Sequence, residues 1–306
     1  MPLIKANGID IEVETHGPKD GPAVLLIMGL AAQLTFWPRG MIERLAGEGY
    51  RVIAFDNRDI GLSEKLHAKR APKPAAFAVL SRLPFARALA PYTLEDMAED
   101  AVGVLDALGV EAAHVVGVSM GGMIGQILAA DHPDRAKSLT AIMTSTNAAS
   151  LPKANPKIVK EIFAVRTRPR TRDELIDRTI GLWGLIGTRD SGADPAEFRE
   201  RIAASIDRCT YPAGIRRQIA AIIATGELRR YARRIEKSTL VIHGSADPLV
   251  PMQGGLDIAA HVKDARAEII EDMGHDLPPK FLDRLNDLLI GHFRSVEADA
   301  ARDAAA

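Results

Sequence analysis

The chain predicts an α/β fold, with a mostly parallel central sheet flanked by helices and a helical cap inserted into it. Three observations carry that expectation. Short apolar runs recur along the chain with little polar alternation, the pattern of strands covered on both faces. Helical stretches long enough for right-handed crossovers lie between them. The alternation then stops between about residues 145 and 235, where only helical segments follow one another.

The elements are justified in chain order. "MPLIKANGIDIEVETHG" reads as two short strands turning at Asn7-Gly8. "AVLLIM" from Ala23 and "RVIAF" from Arg51 are buried strands. Residues 67–91 are irregular, basic and proline-containing, and fit a surface loop or a flap over a ligand entrance equally well. Thr93–Leu108 is a helix, "AHVVGV" from Ala113 a strand, Met120–Ala130 a helix and "SLTAIM" from Ser138 a strand. Two inserted helices have clear starts, at Thr171-Arg-Asp-Glu174 and at Asp194-Pro-Ala-Glu197, where proline takes the first helical position. "STLVIH" from Ser238 and "AEIIE" from Ala267 complete the sheet. The expected divisions are a core of 1–144 and 236–298, a cap of 145–235 and a flexible, low-complexity tail of 299–306.

Bulk properties exclude several classes. With 306 residues and 47% hydrophobic content the chain can bury a large core. A net charge of −1 gives no basic field for a nucleic acid. The single cysteine, Cys209, excludes a disulfide within the chain and a cysteine-built metal site. No apolar run reaches the roughly 18 residues of a membrane span, and the first residues lack the apolar stretch of a signal peptide. The expectation is a cytoplasmic monomer or homodimer acting on a small molecule, with no metal and no cofactor. Charge is unevenly distributed: residues 152–235 hold 15 Arg and 3 Lys against 10 Asp and Glu, a net of +8. That surplus reads as solvated helix faces, or as a basic lid favouring anionic ligands.

The chemistry centres on "HVVGVSMGGM", where a strand run ends in Gly117-Val118-Ser119-Met120-Gly121 and a helix follows. Strand, G-x-S-x-G and helix together form a nucleophile elbow, which lifts the serine hydroxyl above the sheet at a helix N-terminus. Ser119 is therefore the expected nucleophile, with the Met120 N–H facing whatever it attacks. A serine needs a base, and the base needs an orienting acid. His275, in the loop "EDMGHDLPP" after the last strand run, is the expected base among eight histidines; His243, ending a strand before Gly244, is its nearest rival. Asp247 in "HGSADPLVP" is the expected acid, preferred to Asp272 and Asp276, which lie too close to His275 in sequence. A second oxyanion donor is expected from Leu30 N–H, after the turn at Gly29. Met28, Phe36 and Trp37 from below, with Trp183, Leu182, Leu185 and Ile186 from the cap, are the expected pocket lining for a bulky apolar substrate.

Taken together, "GVSMGG", "FDNRDIGLS", "HGSADPLVP" and "DMGH" make the chain resemble the α/β-hydrolase superfamily over nearly all of its core. The resemblance implies Ser119 as nucleophile, His275 as base, Asp247 as orienter, and Leu30 and Met120 as oxyanion donors. It also implies a bracing role for Asp56 and Arg58 beside the oxyanion turn. One departure is Met28-Gly29, where many members carry His-Gly. The forms "IMGL…FWP" and "SLTAIMTSTN" are similar to aclacinomycin-type methyl esterases and serine-dependent macrolide esterases. The implied activity is carboxylic ester hydrolysis through an acyl-enzyme. Carbon–carbon bond hydrolysis, enol-lactone hydrolysis and perhydrolysis use the same triad, and a ligand-binding receptor uses the same fold without turnover.

Overall fold

Eight strands form one sheet among the residues that the computed structural model describes, which are 3–67, 70–73, 76–77, 79, 86–163 and 171–305. The strands are β1 (Leu3–Ala6), β2 (Ile9–His16), β3 (Ala23–Ile27), β4 (Arg51–Phe55), β5 (Ala113–Val118), β6 (Ala136–Ile142), β7 (Thr239–Gly244) and β8 (Ala265–Ile270). Their order is β1-β2-β4-β3-β5-β6-β7-β8. β1 and β2 pair antiparallel across the Asn7-Gly8 turn, β2 runs antiparallel to β4, and every later pairing is parallel. All residues of β3 and β5 are buried, because helices cover both faces of the sheet.

The helices are α1 (Arg39–Gly47), α2 (Leu94–Ala107), α3 (Met120–Asp131), α4 (Pro156–Phe163), α5 (Arg172–Ile186), α6 (Pro195–Arg208), α7 (Pro212–Thr225), α8 (Arg229–Ala232), α9 (Gln253–His261) and α10 (Leu282–Ala305). Their starts are written locally. Thr93 and Asp96 close a capping box on α2. Thr171 accepts the Glu174 N–H on α5, and Asp194 accepts the Ala196 and Glu197 N–H groups on α6. Alternate residues of the central strands feed two cores. Leu25, Ile27 and Val115 pack with α2 and α3, while Val24, Leu26 and Val116 pack with α1 and α10. Each such side chain contributes about 1.5–3 kcal/mol on burial.

Among the described residues of 145–235 no strand occurs, and α4 to α8 lie there, between the neighbouring strands β6 and β7. Part of the irregular 67–91 stretch falls outside the described residues; in the rest, Phe77 is fully buried and packs with Ala220 of α7. Residues 299–305 continue α10 as helix, which fits the alanine content of that end.

Part of the basic surplus is answered by acids of the sheet domain. Arg208 pairs with Asp56, Arg217 with Asp59, Arg229 with Asp257, Arg230 with Glu95 and Arg234 with Asp131. Of these, Arg208, Arg217 and Arg229 are largely buried against acids of the sheet domain, while Arg230 and Arg234 keep more than half of their side chains in solvent. The Arg217–Asp59 pair is bidentate at 2.8 and 2.7 Å and is buried on both sides.

Candidate active site

Four parallel strands deliver the site from their C-terminal ends: Met28 to Leu30 follow β3, Ser119 follows β5, Asp247 follows β7 and His275 follows β8. This is the edge where an open α/β sheet binds ligands.

Ser119 occupies a backbone conformation that side chains avoid, with φ +55° and ψ −119°. Its surroundings hold it there. Ser119 N–H donates to the Ile142 carbonyl at 2.9 Å, and Thr144 Oγ1 donates to the Ser119 carbonyl at 2.6 Å. The flanking glycines are required by close approach. A Cβ on Gly117 would sit 2.3 Å from the Gly121 carbonyl oxygen, and one on Gly121 would sit 2.0 Å from that of Ile27. A Cβ on Gly29 would lie 3.1 Å from the Ser119 Cβ, so the Gly29 backbone passes directly beside the serine.

His275 Nε2 lies 3.1 Å from Ser119 Oγ, and His275 Nδ1 lies 2.7 Å from Asp247 Oδ2. The half-buried serine, the buried ring and the buried carboxylate thus form one hydrogen-bonded line. Asp247 Oδ1 accepts the N–H groups of Leu249 and Val250, which fixes the acid within its own turn. Burial pushes the Asp247 carboxyl up, but the His275 ring, the His243 hydrogen bond and the Val250 N–H outweigh it. The net effect holds the group well below the usual carboxylate range. Asp247 therefore stays ionised, and Nδ1–H faces it while Nε2 faces the Ser119 hydroxyl.

The competing residues make other contacts. His243 is fully buried, with Nε2 donating to the Val250 carbonyl at 2.8 Å. His132 bonds Glu99, His67 bonds Tyr211 and His16 bonds Glu14. His114 and His292 are buried away from the serine, and His261 turns back to the Asp257 carbonyl. Asp272 is exposed, and Asp276 is held by Thr188 Oγ1 and N–H.

The N–H groups of Leu30 and Met120 have no protein acceptor among the described residues, and both residues flank the Gly29–Ser119 contact. The turn carrying Leu30 is braced by Asp56, as "FDNRDIGLS" suggested, and by Asn57 in place of Arg58. Asp56 Oδ1 accepts the Leu34 N–H at 2.7 Å, and Asn57 Nδ2 donates to the Met28 carbonyl at 2.9 Å. The Arg58 side chain points away, into a bidentate pair with Asp100 of α2 at 2.5 and 2.6 Å.

The expected pocket lining divides. Phe36 and Trp183 stack at 5.6 Å between ring centroids, both half-buried, joining the oxyanion segment to α5. Trp37 and Met28 are instead packed into the core beneath, 3% and 5% exposed. Leu182 is half-buried, but Leu185, expected to face inward, is 50% exposed. Ile186 is buried, and its carbonyl accepts the His275 N–H at 2.7 Å. The end of α5 thus holds the His275 loop directly. The bracing by Asn57 and Thr144, and the backbone contact from Ile186, lay outside the sequence expectation, which had Ile186 only as pocket lining. The first two sit inside motifs that were recognised, whereas a backbone acceptor such as Ile186 O leaves no mark in a sequence.

Comparison with known proteins agrees with this fold. A family profile described as alpha/beta hydrolase fold matches residues 22–279. Rhodomycin D methylesterase DauP of Streptomyces sp. (strain C5) is 32% identical over 91% of this chain and 92% of its own length. A putative carbamate hydrolase RutD of Variovorax paradoxus (strain S110) is 31% identical over 87% of this chain and 89% of its own. Among solved structures, a meta-cleavage product hydrolase from Pseudomonas fluorescens IP01 superposes with a TM-score of 0.72 at 21% identity, covering 96% of this chain and 98% of that one.

Proposed function

Because the chain belongs to the alpha/beta hydrolase fold family, we propose that it is a serine esterase acting on bulky, largely apolar small-molecule carboxylic esters. The single observation that carries this reading is the continuous Asp247–His275–Ser119 line of hydrogen bonds, at 2.7 and 3.1 Å, beside the Gly29 backbone.

In this reading Ser119 Oγ attacks the ester carbonyl carbon as His275 Nε2 takes the hydroxyl proton. The carbonyl oxygen becomes an oxyanion facing the Leu30 and Met120 N–H groups, with the N-terminus of α3 adding its dipole. The intermediate collapses, the C–O bond to the alcohol breaks, and His275 passes its proton to the departing oxygen. A water deprotonated by the same ring then attacks the acyl-enzyme, and collapse returns Ser119 and a carboxylic acid. Ionised Asp247 stabilises the imidazolium in both halves without taking a proton.

The stacked Phe36–Trp183 pair supports an apolar wall for the substrate, and a relative named as a methylesterase supports an ester. The reading places residues 145–235 as a cap over this edge of the sheet. It assigns the protein to the cytoplasm on its single cysteine; no described helix is long and apolar enough to cross a membrane.

The test is a hydrolysis panel of short and long esters, lactones and vinylogous diketones, run with Ser119→Ala beside the parent and with a fluorophosphonate probe. Ester turnover, labelling of Ser119, and a loss of about 10⁴-fold or more in the alanine variant are expected. Labelling that persists in Ser119→Ala overturns the nucleophile, and turnover confined to diketones overturns the ester.

A further inference from the structure

The turn that carries Leu30 is strained, and a side chain from the inserted helices holds it. Ala31, the next residue, has φ +64°, in the left-handed region that a side chain disfavours. Its N–H donates to Gln218 Oε1 at 3.1 Å, and Gln218 Nε2 donates to the Arg58 carbonyl at 3.1 Å. Gln218 lies on α7 and is fully buried, so both halves of its carboxamide are used where water cannot replace them.

Helix α7 has little freedom of its own. The adjacent Arg217 makes the bidentate pair with Asp59. A Cβ on Gly214 would sit 2.2 Å from the Asp59 carbonyl oxygen, so helix and sheet domain touch through backbone. The same turn has a second tie. Gln33 Nε2 donates to the carbonyls of Ser205 and Cys209 at the end of α6, at 2.6 and 3.1 Å, and Gln33 Oε1 accepts from Arg208 at 2.7 Å.

Peptide units are rigid planes joined at Cα atoms. The Leu30 N–H belongs to the plane between Gly29 and Leu30. The plane before it is fixed by Asn57 at the Met28 carbonyl, and the plane after it by Gln218 at the Ala31 N–H. The Gly29–Leu30 plane itself is tied only within the turn, by the Ala32 N–H donating to the Gly29 carbonyl at 3.3 Å, so the direction of the Leu30 N–H is set by that turn and by two outside anchors, one from the sheet domain and one from α7.

We propose that Gln218 is a positioning residue for the oxyanion site, aiming the Leu30 N–H at the developing oxyanion through the Ala31 peptide plane. The proposal rests on the esterase reading of the same site. It makes the inserted helices part of the catalytic geometry, so that the oxyanion donor is in place only when α7 is seated. A donor misplaced by about 1 Å costs on the order of 10²-fold in rate, and loss of an oxyanion donor costs about 10²–10³-fold.

The experiment compares Gln218→Met, which fills the same volume without either hydrogen bond, with Gln218→Glu, which keeps an acceptor for Ala31. Read-outs are kcat and KM on the best ester of the panel, the Ki of a phenylalkyl trifluoromethyl ketone whose serine adduct carries an oxyanion, and Tm. The Met variant is expected to lose about 10–100-fold in kcat with KM within about threefold, and to bind the ketone more weakly by the same factor. The Glu variant is expected to keep kcat within about fivefold. A Met variant with a lowered Tm but parental kcat and Ki shows a packing role and overturns the proposal. If the Met variant does not fold, the Glu variant decides: folded protein that has lost more than about tenfold in kcat also overturns it. A parent protein that hydrolyses no ester and forms no ketone adduct overturns the esterase reading instead, a result separable from either variant outcome.

Discussion

His243 Nε2 lies 3.5 Å from Asp247 Oδ2, the same atom that accepts the His275 Nδ1–H at 2.7 Å. Two histidines therefore converge on one carboxylate, and only one of them reaches the serine. His243 instead donates to the Val250 carbonyl and sits against α9, where a Cβ on Gly255 would meet its Nδ1 at 2.5 Å. His243→Gln is expected to keep kcat within about tenfold, while His275→Gln abolishes turnover. Steady-state kinetics on one ester decides the matter, and the reverse ranking would transfer the role of base to His243.

Two glycines in helices give opposite outcomes when replaced by alanine. At Gly121 the new methyl group overlaps the Ile27 and Met28 carbonyls, at 2.0 and 2.8 Å. The backbone must shift, at a cost of about 1–3 kcal/mol, and the elbow and the oxyanion turn separate. At Gly181, inside α5, nothing lies within 4 Å of the added carbon. Alanine there is expected to gain about 0.5–1 kcal/mol. Thermal melts and esterase assays of both variants check the pair: Gly121→Ala loses stability and activity, and Gly181→Ala gains stability with activity intact.

Trp183 and Trp37 separate in the same way. Trp183 stacks on Phe36, the pair proposed as the apolar wall, so Trp183→Ala is expected to lower kcat/KM for a bulky ester several-fold more than for an acetate. Trp37 is in the core, so Trp37→Ala is expected to cost about 3–5 kcal/mol of stability. Equal loss on both esters for Trp183→Ala, with unchanged Tm, would refute the apolar wall.

Acid should weaken the fold through two histidines far from the serine. Burial lowers His114 from its ordinary value of 6.5 to about 3, and nearby Lys137 and His292 act in the same sense. Burial lowers His292 to about 4, helped by Arg266. Both rings are neutral in the native state and gain protons first in the unfolded chain. Their contribution is complete above pH 6.5 and is lost as pH falls toward the folded values, at roughly 1.4 kcal/mol per pH unit for each ring. Carboxylates such as Asp247 add their own loss only below about pH 4. Urea midpoints measured from pH 7 to pH 5 should fall steadily, and His114→Asn should flatten the slope. A parent midpoint that is flat over that range contradicts this account.

The sheet was legible because strands buried on both faces need uninterrupted Val, Ile and Leu, as in "AVLLI" and "RVIAF". Ser119, His275 and Asp247 were legible because a strained turn needs small neighbours and a loop acid needs a strand before it. Gln218 and Thr144 were not, since a buried amide or hydroxyl looks like any polar residue until its partners are in place. Trp37 illustrates the converse. Its position next to Phe36 suggested a shared role, but consecutive residues leaving a short 3-10 turn, Leu34–Phe36, face different ways. The fate of the basic insertion also needed coordinates, because charge counts do not say which acids answer which arginines.

The inserted helices leave after β6 and return before β7, strands that pair with each other, so in connectivity they form a cassette whose removal would leave the sheet order unchanged. The arginine pairs make that cassette addressed rather than generic. A lid transplanted from a relative at residues 145 and 235 would have to present guanidinium groups to Asp56, Asp59, Glu95, Asp131 and Asp257 in the same spatial register. A lid lacking them would leave Asp59, which is fully buried, facing apolar helix without a counter-charge. For this chain, a foreign lid is constrained less by the splice points than by the acids it must answer, above all the buried Asp56 and Asp59.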